Sequence, residues 1–230
     1  MTQQNFTIQT QNLSIGYKSK SETITIAQNI NLNLEKGKLI ALIGENGIGK
    51  STLLKTITGI IPPLQGEVSL LHKSLQSYKP LDLAQELSIV LTEKLPPSNL
   101  TVYEIIALGR QPYTNWLGTL SEEDKIKIEE AISLTEIQHL VHKKHDEISD
   151  GQLQIALIAR ALAQDTSIII LDEPTTHLDL VHKATLLKLL PKLTHETGKT
   201  ILYSTHDIDL AIQMTDEMIV FTPNQIVQDQ

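Results

Sequence analysis

Residues 38–51 read KLIALIGENGIGKS, and the fold turns on them. Lys38 to Ile43 is a short, continuous apolar run, the pattern of a strand buried on both faces rather than one with a solvated side. It leads straight into Gly44-Glu-Asn-Gly-Ile-Gly-Lys-Ser51, which has the spacing G-x-x-x-x-G-K-[ST], and TLLKTITG follows with helical character. Strand, glycine turn and helix in that order form a cradle for an anion: Gly44, Asn46, Gly47 and Gly49 let successive amides curl around it. The helix start adds its positive end beneath Thr52. Lys50 brings a mobile cation for β and γ phosphates, and the Ser51 hydroxyl is a ligand for Mg²⁺. A glycine turn with an incidental lysine is the bland alternative, and the strand before and helix after weigh against it.

A second acidic site says what is done with the phosphates. Ser167 to Leu171 is another buried-strand run, and it ends in Asp172-Glu173-Pro174. A carboxylate at the end of a buried strand is costly unless it faces a cation. Asp172 is therefore expected in the Mg²⁺ shell, and Glu173 beside it to orient or deprotonate an attacking water. The alternative is a pair of solvated loop carboxylates.

Composition narrows the partners. The chain has 230 residues, 40% of them hydrophobic, enough for one well-buried domain. Its 27 acidic against 19 basic residues give a net charge of −8, with no basic stripe and few aromatics, so nucleic acid is not an expected partner. The absence of cysteine excludes disulfides, thiolate metal sites and cysteine nucleophiles. MTQQNFTIQTQNLS has neither a basic n-region nor an apolar h-region, and no run approaches the roughly 18 apolar residues of a membrane span, so a chain neither secreted nor membrane-crossing is expected.

Along the chain, residues 6–34 alternate polar and apolar, as exposed antiparallel strands do. The middle turns helical: Thr101-Val-Tyr-Glu104 and Ser121-Glu-Glu-Asp124 each have the spacing of a capping box ahead of an apolar-periodic stretch. After residue 165, strand and helix patterns alternate (SIIIL, LVHKATLLKLLPKL, KTILYST, Asp207 to Met214, MIVF), which argues for a parallel sheet flanked by helices. HLVHKKH places His139, His142 and His145 at spacings of three, a candidate transition-metal site if the segment is helical; a solvated, lysine-bearing helix end is the favoured reading.

With ISDGQ at 148–152 ahead of a greasy helix, LDEP at 171–174, HLD at 177–179 and STHD at 204–207, the chain resembles the ATP-binding-cassette (ABC) ATPases over essentially its whole length. The resemblance implies an α/β fold: a P-loop NTPase (RecA-like) core with a parallel sheet, an antiparallel β subdomain and an inserted helical subdomain. The expected division is 1–35 and 66–80 for the β subdomain, 36–65, 81–92 and 152–230 for the core, and 93–151 for the helical part. The resemblance further implies ATP and Mg²⁺ as cofactors and a head-to-tail dimer of two copies. In it Tyr17 stacks on adenine, Ser149, Gly151 and Gln152 reach the γ phosphate across the dimer, Asp179 lies at the seam, and His206 contacts the γ phosphate. A helix beginning near Gly151 also presents free amides to an anion, which suits that role.

The sequence departs from the family pattern at three points. Thr92 stands where the family carries a metal-contacting glutamine; its hydroxyl reaches less far, and Glu93 is the alternative ligand. Asp150 replaces the first signature glycine, so its carboxylate either points away from the triphosphate or weakens the closed dimer. Leu153 stands where many relatives carry arginine. The stretch LTVYEIIALGRQPY resembles the helical segment of ATPases serving importers of iron-siderophore, haem and cobalamin. That resemblance implies a separate integral membrane permease, a substrate-binding protein beyond it, and a peripheral position on the cytoplasmic face of the membrane. Relatives in that group continue past the last strand, so the chain is expected to be short at its C-terminus. An exporter cassette, or a non-transport cassette acting on ribosome or DNA, is the competing class.

Overall fold

The computed structural model describes residues 6–229 apart from 94, 95, 97, 177 and 224. In chain order it begins with β1 (Phe6–Lys18), β2 (Thr23–Ile30) and β3 (Asn33–Glu35), then β4 (Leu39–Ile43), α1 (Lys50–Ile57), β5 (Gln65–Leu70) and β6 (Lys73–Ser74). α2 (Pro80–Glu86) and β7 (Leu87–Val90) lead into a helical stretch of α3 (Val102–Ala107), α4 (Glu122–Thr135) and α5 (Asp150–Ala163). The chain then alternates β8 (Ile168–Leu171), α6 (Leu180–Thr197), β9 (Thr200–Thr205), α7 (Ile208–Met214), β10 (Glu217–Phe221) and β11 (Ile226–Asp229).

Two sheets result. The first is antiparallel, in the order β2-β1-β5-β6 with β3 also on β1; the second runs β11-β10-β4-β9-β8-β7 and is parallel except for β11. β4 explains why the opening apolar run has no polar alternation. Its odd residues Leu39, Ala41 and Ile43 join the core beneath α3, α5 and α6, while Ile40 and Leu42 join the core shared with α1 and the antiparallel sheet. β8 divides in the same way, Ile169 and Leu171 to one side, Ile168 and Ile170 to the other. Each strand is thus apolar on both faces because each face has a core of its own.

β1 is not the exposed strand its alternation predicts. It pairs with β2, β3 and β5, and its polar residues Thr7 and Thr10 are buried, donating to Leu34 O at 3.2 Å and Ile30 O at 3.0 Å. A threonine satisfied by a neighbouring carbonyl can be buried, so these two polar positions do not report exposure, whereas Gln11 and most of β2 are exposed as expected.

Both capping boxes form: Thr101 with Glu104 starts α3, and Ser121 with Asp124 starts α4. α5 packs against α3 and α4 on one side and reaches α6 on another, and from Ala156 to Ala163 all its residues but Arg160 are buried. Its alanines let neighbours approach closely. Gly109 lies so near Arg160 that a Cβ there would sit 2.2 Å from the Arg160 carbonyl. The expected boundary at 151/152 falls inside α5, which packs on α3 and α4 and also meets β7 of the parallel sheet. His139 and His145 fall on two separate 3₁₀ turns (138–140 and 145–147), with His142 in the turn between. No continuous helix aligns them, and no cluster of three potential metal ligands occurs among the described residues.

Candidate active site

The parallel strands deliver their C-terminal ends to one edge of the sheet, where an α/β fold of this kind places its ligands. Ile43 of β4 pairs in register with Thr205 of β9, so Gly44 and His206 leave neighbouring strand ends side by side. Leu171 of β8 pairs with Tyr203, so Asp172 lies beside Ser204.

Between β4 and α1 the loop turns through Gly47 and Gly49 at φ of 80° and 118°, left-handed conformations that side chains rarely adopt. At Gly49 a Cβ would also stand 2.4 Å from the Ile26 side chain, so this loop is packed directly on β2. Gly49 is the N-cap of α1 and carries no side-chain cap, leaving the first-turn amides to whatever anion reaches the loop. Lys50 is 3% exposed; its Nζ donates to the carbonyls of Gly44 (2.8 Å) and Glu45 (3.0 Å) and stands 3.2 Å from Glu173 Oε1. A buried ammonium needs such partners, and a polyphosphate entering the loop competes with them for the same Nζ.

The acidic pair is held with equal care. Asp172 is buried, and its Oδ1 accepts from Ser51 Oγ at 3.0 Å and Ser204 Oγ at 2.8 Å. Ser204 also accepts the amide of Glu173 at 2.8 Å, which fixes the strand end from which Glu173 projects. Glu173 itself has φ 46°, an uncommon conformation for a side-chain-bearing residue, and its Oε2 accepts from Thr176 at 3.0 Å. Ser204 and Thr176 were not among the residues singled out in the sequence. Ser204 stands two positions before His206 in STHD, and a hydroxyl on the strand next to an acidic strand end was the available signal.

Tyr17, half exposed at the end of β1, hydrogen-bonds Thr52 Oγ1 across 3.1 Å, which sets its ring beside the first turn of α1. His206 is exposed at the end of β9. Thr92 follows β7 and donates its hydroxyl to Asp172 O at 3.0 Å, so it braces the backbone of the acidic strand end. Glu93 is 76% exposed and paired with Lys55 at 3.2 Å.

Ser149 and Gln152 form a third capping box: Ser149 Oγ accepts the Gln152 amide at 3.2 Å and Gln152 Oε1 accepts the Ser149 amide at 3.1 Å. The amides expected to be free at the mouth of α5 are therefore partly used by the helix itself. The spacing Ser-x-x-Gln is legible in the sequence as a cap. Asp150 lines, with Thr92, Glu93, Asp172, Glu173 and Thr176, a cavity of about 50 Å³ between α5 and the acidic strand end. Gly151 lies against α6, and Asp179 is the N-cap of that helix, accepting the His182 amide at 2.9 Å. His177, the first residue of HLD, lies outside the described residues. Ser149, Gly151, Gln152 and Asp179 thus lie at the starts of α5 and α6.

The glycine loop between a central parallel strand and its helix, with an acidic strand end beside it, makes this chain a P-loop nucleoside triphosphatase. Its sequence matches the ABC transporter family over residues 27–176. It is 41% identical to the achromobactin transport ATP-binding protein of Dickeya dadantii, across 92% of this chain and 77% of that protein. It is 36% identical to the iron(3+)-hydroxamate import ATP-binding protein of Bacillus subtilis, across 96% and 81% respectively. Among solved structures it is similar to a dimeric ATP-binding cassette in a post-hydrolysis state with ADP and Pi, at a TM-score of 0.81 and 29% identity, covering 97% of this chain and 98% of the other. The chain belongs to the ABC transporter family, and it is an ATP-binding cassette with the ATPase activity of that family. No helix among the described residues is long and apolar enough to cross a membrane.

Proposed function

We propose that this cassette is the ATP-hydrolysing subunit of an importer, working as a head-to-tail homodimer on a separate integral membrane permease at the cytoplasmic face of the membrane. The transported solute is of the iron-siderophore, haem or cobalamin type, delivered by a substrate-binding protein. The observation that carries this reading is the likeness, over nearly the whole chain, to ATP-binding proteins named for achromobactin transport and iron(3+)-hydroxamate import. Exposed apolar side chains on the helical segment, Trp116 at 91% and Leu117 at 65%, supply the kind of surface on which a permease helix docks.

Within each half of the dimer, Gly44, Asn46, Gly47, Gly49, Lys50, Ser51 and Thr52 cradle the phosphates, and Tyr17 lies against the base. The hydroxyl of Ser51 and the carboxylate of Asp172, 3.0 Å apart, form a hard-oxygen donor pair of the kind Mg²⁺ takes, so they would hold the ion. Bound there, Mg²⁺ supplies charge neutralisation for the phosphates. Thr92 serves this pair by bracing Asp172, and Glu93, tied to Lys55, stands further off. Glu173 takes the proton of the attacking water, and phosphates that draw Lys50 away release its carboxylate for that work. His206 contacts the γ phosphate from the neighbouring strand end. The second copy contributes Ser149, Gly151 and Gln152, with Asp179 at the seam. Closure on ATP and opening after hydrolysis then move the permease between its two orientations.

Reconstitution with the permease, followed by ATPase measurements with binding proteins carrying different chelates, tests the reading. Stimulation by a loaded siderophore, haem or cobalamin binding protein is expected. Stimulation by RNA or DNA, and none by any such binding protein, would overturn it.

A further inference from the structure

The first turn of α6 touches three of the motifs at once. Asp179, its N-cap, accepts the His182 amide on Oδ1 and is bonded through Oδ2 to the ring Nδ1 of the same histidine at 2.8 Å. The Cγ–Cδ2 side of that ring lies on Gly151: a Cβ on Gly151 would stand 2.4 Å from His182 Cδ2 and 2.5 Å from Cγ. One imidazole therefore fills the space between the signature turn and the Asp179 turn. The next residue, Lys183, donates to Asp207 Oδ2 at 2.6 Å, immediately after His206. These bonds hold both acidic side chains ionised: the His182 amide and ring keep Asp179 below the usual carboxylate range, and Lys183 does the same for Asp207.

We propose that His182 is a positioning residue which, by packing its ring on Gly151 while bonding Asp179, makes the signature turn and the Asp179 turn of one subunit a single rigid unit. Two loops that must meet a partner in one geometry lose less freedom on closing if they are already fixed to each other. The identity of residue 151 follows from the same contact. A Cβ there would force the imidazole to shift, so the glycine serves the fit within its own subunit as well as a partner's nucleotide. The effect on dimer closure rests on the head-to-tail reading above; the rigid coupling within one subunit does not.

The test uses the full chain with two substitutions. His182→Phe keeps a ring over Gly151 but cannot bond Asp179, and His182→Asn keeps a donor close to the Nδ1 position. Hydrogen exchange of the isolated chain is read at residues 149–153 and 179–183, with ATP binding and ATP-driven dimerisation measured in a Glu173→Gln background. His182→Phe is expected to speed exchange in both segments together and to weaken dimerisation at least tenfold, while ATP binding by the monomer is unchanged; His182→Asn restores both. Exchange faster at 179–183 alone, or His182→Phe dimerising as tightly as its parent, would overturn the proposal. A parent that binds ATP and stays monomeric would instead overturn the dimer reading, and the exchange result would still decide the coupling.

Discussion

Single side chains decide the chemistry at the strand ends. Glu173 is held by Thr176 and by Lys50, and its backbone amide by Ser204, so removing its charge leaves the backbone arrangement in place. Glu173→Gln is expected to bind ATP as the parent does and to lose turnover by roughly 10²–10⁴-fold, the range of a general base; phosphate release beside equilibrium ATP binding checks it, and unchanged turnover would remove Glu173 from the mechanism. Asp150 is the residue whose presence the family pattern does not explain. It lines the same small cavity as Glu93, Asp172 and Glu173 of its own chain, which brings the carboxylates around that cleft to four. Asp150→Gly in the Glu173→Gln background is expected to tighten ATP-driven dimerisation, read as a lower dissociation constant in sedimentation. An unchanged constant would mean the carboxylate stays clear of the partner's triphosphate.

At the scale of elements, a buried ion pair ties parts of the helical segment together. Arg110 and Asp124 are each about 4% exposed and 2.8 Å apart, and the guanidinium also donates to Ala163 O at the end of α5 and covers the Tyr113 ring. The pair thus joins the turn after α3, the start of α4 and the end of α5. Arg110→Met leaves Asp124 buried without its cation, and about 3–5 kcal/mol of stability is expected to go, measured by urea unfolding at neutral pH. The pH dependence follows from the carboxyl. Burial pushes Asp124 up, but the Ser121 hydroxyl and amide and the Arg110 guanidinium outweigh it and leave it below the usual range. A carboxyl held lower when folded than when unfolded contributes its stability above about pH 4 and loses it as the pH falls through the folded value. The gap between the parent and Arg110→Met is therefore expected to narrow below about pH 4. The capping spacings that begin α3 and α4 were readable as residues; the arginine that closes on the second was not, because its partner lies 14 positions away on another element.

At the scale of the whole molecule, the motif residues fall on different elements. The glycine loop and acidic strand end lie together, whereas Ser149, Gly151, Gln152 and Asp179 gather around the starts of α5 and α6. In the proposed head-to-tail dimer, each site takes one set from each of two copies. Lys50→Ala and Ser149→Arg, each inactive alone, are expected to regain ATP hydrolysis when mixed, because the hybrid dimer contains one site with an intact loop and an intact signature. Absence of recovery, with hybrid dimers demonstrated by differential labelling, would count against the head-to-tail arrangement. Residues 38–51 by themselves determined the strand, the loop and the helix, since those depend on local backbone freedom and on an apolar run too dense for a half-solvated strand. LDEP likewise announced its carboxylates, because charge at the end of a buried strand needs a reason wherever the strand lies. What tertiary structure alone decided is who touches whom: Ser204 and Thr176 on the acidic pair, the burial of β1 through threonines that found carbonyls, and His182 between Gly151 and Asp179. Those contacts depend on the order in which strands enter the sheet and helices cross it, and residue spacing along a chain carries no record of that order.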